Sequence, residues 1–239
     1  MTDIDLIASM TRASAVARHD ADVGRTRFDF ISGRPRPTWR GRIHAIAAPL
    51  AAIATAVLAS LTSGVMIIAT FVYGISMVAC FGVSASYHLW TQTIRTQRRM
   101  QRIDHAMISV FIAGTATPIY MTVPLGRLSI VLLVLTWAGA VVGAGLKLGR
   151  RAWRTASAMY LVTGWTALAA LPGLWTFAGP LPAMLILTGG VVYTVGAVIF
   201  WRKWCPITSH RWGHHEMFHV CTVIGAGLHF TSVATIVTR

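Results

Sequence analysis

Apolar residues run along this chain in long unbroken stretches, and the polar positions gather in short runs between them. Each stretch is close to the roughly 20 residues that a helix needs to cross about 30 Å of hydrocarbon. Seven spans are predicted, at about 45–63, 66–90, 104–123, 128–146, 157–177, 181–201 and 215–237. Only Thr62-Ser63-Gly64 separates the first two. The alternation expected of a barrel strand is absent, which leaves helices as the spanning structure. Short connections make successive helices antiparallel neighbours. The predicted fold is an all-α integral membrane protein, a seven-transmembrane-helix bundle over 44–239 with a polar, Arg-rich tail over 1–43. Pro118 and Pro172 fall inside apolar runs and are expected to kink the third and fifth spans. Gly139, Gly143, Gly189, Gly190 and Gly196 permit close helix contact within the bundle. Trp90, Trp175, Trp201 and Trp204 lie near span ends, as an interfacial belt requires.

Composition agrees with this class. The chain is 55% hydrophobic and 12% charged, about half the charged share usual in soluble domains. A net charge of +14 would suggest nucleic acid if it were gathered on one face, but its distribution has a different cause. Arg12, Arg18, Arg25, Arg27, Arg34, Arg36, Arg40 and Arg42 precede the first span. Arg95, Arg98, Arg99 and Arg102 lie between spans two and three, Lys147, Arg150, Arg151 and Arg154 follow span four, and Arg202, Lys203 and Arg211 lie between spans six and seven. The alternate loops hold only Arg127 and the terminal Arg239. This is the positive-inside pattern; it predicts a cytosolic N-terminus and an extracytosolic C-terminus, with no nucleic-acid partner.

No apolar core follows a charged start in residues 1–43, so the tail does not read as a signal peptide. It is expected to be flexible at first, with a short amphipathic helix near 4–17 and its last basic residues lying on anionic headgroups. Cys80, Cys205 and Cys221 form no disulfide framework and are expected to be free.

Past residue 43 the only acidic side chains are Asp104 and Glu216, and each adjoins a histidine. Ionisable groups within apolar spans are costly and are functional candidates by default. The predicted topology brings several of them to one depth. Span two ends on the cytosolic side with Ser84 and His88, span three begins there with Asp104, and span seven begins there with His215 and His219. His215 and His219 are i and i+4 on one helical face, about 6 Å apart along the axis. With His88 as third ligand they suit zinc, and three protein ligands leave a position for water. Iron or nickel would also accept imidazoles. Ser84 lies one turn deeper than His88 on the same face and can hydrogen-bond a water or a substrate oxygen. Asp104 can take a proton from that water. His215-Glu216-Met217-Phe218-His219 is also literally the H-E-x-x-H helix motif of metalloproteases, with Glu216 as base. Its place at the mouth of a span makes an intramembrane protease the lesser alternative. His44, His105, His214 and His229 are expected to be boundary or packed histidines, with a contact between the site and either His44 or His105 also open.

Several of these segments resemble the hemolysin III proteins, bacterial members of the progestin and adiponectin receptor family. Ser84-Ala-Ser-Tyr-His88 is similar to that family's S-x3-H signature, and Arg102-Ile-Asp104-His105 with Ile112-Ala-Gly-Thr-Ala-Thr-Pro118 to its third span. Gly189-Gly190-Val-Val-Tyr193-Thr-Val-Gly196 resembles its sixth span and His215-Glu-Met-Phe-His219 its seventh. The resemblance covers residues 40–239. It implies a multi-pass protein of the bacterial plasma membrane with zinc on His88, His215 and His219. It also implies a water-mediated metal contact from Asp104 and a nearby hydrogen bond from Ser84. The wider superfamily includes membrane hydrolases of lipid amides. The expected function is therefore zinc-dependent hydrolysis of a lipid-like amide or ester at the cytosolic side. The alternatives are a receptor-like or regulatory protein with structural zinc, or a lytic protein.

Overall fold

The computed structural model describes residues 29, 31, 36–149, 153–209 and 211–239. The amphipathic helix predicted near 4–17, together with His19, Arg150, Arg151 and His210, lies outside the described residues. The described chain is helical, with no strand apart from one isolated bridge between Ser209 and Trp212. Its helices are α1 (Arg42–Ser60), α2 (Val65–Trp90), α3 (Ile94–Thr122), α4 (Arg127–Leu148), α5 (Trp153–Trp165), α6 (Leu171–Ala178), α7 (Pro180–Arg202) and α8 (His214–Val237). A 3-10 turn, Thr166–Ala170, joins α5 to α6.

Among the described residues, six segments are long and apolar enough to cross a bilayer: α1, α2, α4, Ser157–Ala178, α7 and α8. They coincide with six of the seven predicted spans. The third predicted span, 104–123, lies in the later part of α3, which starts ten residues earlier than expected. Thr93 caps that start, its hydroxyl accepting the Thr96 amide at 3.2 Å. The helix therefore continues through the arginines at 95, 98, 99 and 102. The fifth span is broken, as Pro172 foretold, but the break lies upstream of the proline. Proline has no N–H and its ring clashes with the carbonyl four residues earlier, which is Leu168, inside the 3-10 turn. Pro118 interrupts nothing visible; α3 runs past it to Thr122.

The bundle is polarised as a protein in lipid should be, with large side chains outward and small ones inward. On α1, Ile46, Leu50, Ile53 and Val57 face out, while Ala47, Ala51, Thr55 and Leu58 are buried. Helix α3 is central, packing on α2, α4, α5 and α8. Its stretch Ala113–Tyr120 is buried on all sides, and its small residues make that possible. A Cβ on Gly114 would fall 2.0 Å from the Ser76 hydroxyl of α2, and one on Gly196 would fall 2.6 Å from Cys221 Cβ. A Cβ on Gly143 of α4 would fall 2.9 Å from the Ser109 hydroxyl, so the glycines of spans four and six serve contacts inside the bundle, as expected. Trp90, Trp175, Trp201 and Trp204 are all exposed near helix ends, and the three cysteines are free.

The segment before α1 departs from expectation. Arg36 and Arg40 do not lie out on headgroups; they turn inward onto the ends of α2 and α8. Arg36 is buried, and its Nη1 donates to the His88 carbonyl at 2.8 Å. Arg36 also faces Asp29 at 3.7 Å, while the fully buried Gln97 of α3 donates to Asp29 at 2.9 Å. Arg40 forms an ion pair with Glu216, and the Trp39 amide donates to the Arg211 carbonyl at 3.3 Å. These contacts fasten the entry to α1 over one end of the bundle.

Candidate metal centre

That end holds the histidines. Helix α2 brings His88 in its last turn, and α8 brings His215 and His219 in its first two turns. The i, i+4 pair stacks as its spacing requires, with ring centroids 4.7 Å apart and planes 21° apart. His88 stands edge-on to both, at 4.8 Å from the His215 ring and 5.1 Å from the His219 ring. One nitrogen from each ring lies within 4.8 Å of the other two. His88 Nε2 and His215 Nε2 are 3.2 Å apart.

The His88–His215 spacing matches the demands of a metal. Tetrahedral Zn–N bonds of about 2.0–2.1 Å place two ligand nitrogens about 3.3 Å apart. Two imidazole lone pairs at 3.2 Å repel unless a proton or a cation sits between them. His88 and His219 are buried and His215 is half-buried. Three histidines this close could hold a metal ion.

Asp104 and Ser84 are both buried, on the neighbouring helices α3 and α2. The Asp104 carboxylate is 3.5 Å from His105 Nδ1, and that nitrogen also meets the Gln101 carbonyl at 2.8 Å. Tyr160 of α5 donates to the His105 backbone carbonyl at 2.7 Å, so His105 and its neighbour Asp104 are held from two sides.

Glu216 is fully buried, and Arg40 engages its Oε1. That pairing gives the glutamate of the H-E-x-x-H string a structural duty, which weakens the protease alternative. His214 packs on Phe200, with centroids 6.1 Å apart. His229 is a packed histidine, its Nε2 meeting the Ile186 carbonyl at 3.0 Å.

The largest departure is His44. Far from being a boundary residue, it is buried against the cluster, with its Nδ1 2.9 Å from His219 Nδ1 and the two ring centroids 4.0 Å apart. Phe81 of α2 lies on its other side at 4.8 Å. Gly41 makes this approach possible. Its φ of 82° suits glycine, and a Cβ there would fall 2.6 Å from His88 Cβ. Nothing local in the sequence pairs residue 44 with residue 219. Its only signal is an imidazole at the threshold of an apolar run.

Fold and site together define a helical multi-pass membrane protein with a histidine cluster at one end of its bundle. The family model described as "Haemolysin-III related" matches residues 33–230. The chain is 30% identical over 169 residues to "Hemolysin-3 homolog" of Bacillus subtilis (strain 168), covering 70% of this chain and 76% of that protein. It is 29% identical over 170 residues to "Hemolysin-3" of Bacillus cereus, covering 70% and 74% respectively. The chain belongs to the hemolysin III family, and it is a multi-pass protein of the bacterial cell membrane.

Proposed function

We propose that this protein is a zinc-dependent membrane hydrolase of lipid-like amides or esters. It crosses the bilayer seven times, α3 included, with a cytosolic N-terminus and the histidine cluster at the cytosolic end. The distribution of basic residues supports that orientation. The observation that carries the proposal is the convergence of three imidazole nitrogens within 4.8 Å of one another.

His88, His215 and His219 hold the ion. When bound, zinc supplies Lewis acidity and a water made acidic enough to react near neutral pH. Asp104 accepts a proton from the attacking water. Ser84, one helical turn from His88, donates a hydrogen bond to the carbonyl oxygen as it gains charge. The buried setting of both groups strengthens these interactions by excluding bulk water.

Purified zinc-loaded protein should cleave an amide or ester lipid. Asp104→Asn should lower turnover by about 10²-fold or more while keeping its metal content. Undiminished turnover in that variant would remove Asp104 from the reaction. A receptor-like protein with structural zinc is the second reading, favoured by the burial of His88 and His219 beneath the Arg36–Gly41 segment. It requires chelation to unfold the bundle and no turnover with any lipid. Lysis, the property in the relatives' names, would instead show as liposome leakage that ignores Asp104.

A further inference from the structure

We propose that His44 is the positioning residue of the metal centre, a hydrogen-bond acceptor that holds the His219 ring in its ligating tautomer. This inference rests on the zinc site proposed above and goes further, to a residue outside the ligand triad.

The contact is between two Nδ1 atoms, 2.9 Å apart. A neutral imidazole carries one N–H and one lone pair, so one ring donates and the other accepts. If His219 accepted at Nδ1, its proton would sit on Nε2 and that nitrogen could not ligate. If His219 donates, Nδ1 carries the proton and the Nε2 lone pair is free for the ion. With its Nδ1 engaged by His44, His219 has Nε2 left to offer an ion, and only the second arrangement leaves that nitrogen a lone pair. His44 is then the acceptor, the role that a carbonyl or carboxylate fills at many metal-bound histidines.

The placement of His44 is enforced along its own segment. Gly41 lets the chain pass against His88 Cβ, Arg40 is tied to Glu216 next to His215, and the Ala45 amide bonds to the Gly41 carbonyl at 3.0 Å. The ring is clamped between His219 and Phe81. The acceptor role puts the proton of His44 on Nε2, which is buried without a hydrogen-bond partner among the described residues. A water or a substrate oxygen is the partner such a donor would take.

The test compares wild type, His44→Asn and His44→Phe in full-length protein. Asparagine can place an acceptor oxygen near the position of Nδ1, whereas phenylalanine keeps the ring and removes the acceptor. The first readout is the ¹⁵N shifts of the His219 ring in metal-free protein, and the second is zinc affinity by chelator competition. The expected result is an Nδ1–H tautomer in wild type and in His44→Asn, lost in His44→Phe. Zinc affinity should fall 10–100-fold in His44→Phe and less than about threefold in His44→Asn. An Nε2–H tautomer in metal-free wild type overturns the proposal, as does wild-type affinity in His44→Phe. An equal loss in both variants also overturns it, because that would mark His44 as a ligand or a space-filler. Failure of wild type to bind zinc would sink the metal site itself, whereas the tautomer readout judges His44 without any metal.

Discussion

Arg40→Ala is expected to be the most destabilising single change on the tail. Glu216 is wholly buried, and the Arg40 side chain is only 16% exposed. Removing one partner of a buried ion pair costs about 3–5 kcal/mol, because the remaining charge is left in a medium that solvates it poorly. The residual exposure of Arg40 favours the lower end, about 3 kcal/mol. Glu216→Gln should cost less, about 1 kcal/mol, since the amide oxygen still accepts from the guanidinium. Combining the two should then cost less than the sum of the single changes, with a coupling of about 1–2 kcal/mol. Equilibrium unfolding in mixed micelles with increasing dodecyl sulfate, read by tryptophan fluorescence and far-UV circular dichroism, gives all three values. A change below 0.5 kcal/mol for Arg40→Ala, or strict additivity, would refute the idea that this pair holds the tail in place.

Gly41→Ala should weaken zinc binding as well as stability. A non-glycine residue in the left-handed region costs about 1–2 kcal/mol, and here the added methyl also strikes His88, a ligand in the proposed centre. Gly64→Ala is the control. Its φ is 58° and nothing lies within 4 Å of the added Cβ, so it should carry the backbone cost alone and leave zinc affinity unchanged. Gly189→Ala would place a methyl 2.3 Å from His229 Cδ2. It should destabilise the α7–α8 contact by about 1–3 kcal/mol with metal content intact, measured by the same unfolding titration and by elemental analysis.

The spans were legible because hydrocarbon imposes a one-dimensional rule, a run of apolar residues of fixed length. The rule says nothing about where a helix continues into water, so α3 was read from Asp104 when it begins at Ile94. The meeting of His88, His215 and His219 was legible for a similar reason. His215 and His219 share a helical face by spacing, and His88 shares their end of the bundle by the alternation of antiparallel spans. His44 and Arg40 were not, since each meets a partner about 175 residues away, and no local period encodes such a contact. Arg40 was further masked by its company. Eight arginines before residue 43 are well explained by membrane orientation, and that explanation gave no reason to single out one that turns inward.

Because the centre draws on α1, α2 and α8, it cannot exist while the chain is still being made. Through most of synthesis His88 waits inside a half-built bundle with no imidazole to face, and Arg40 has no carboxylate to meet. Only arrival of the final helix completes the set. Capture of an ion would thus report that the last helix has inserted in register with α1 and α2, and removing α1 or α8 would dismantle the arrangement.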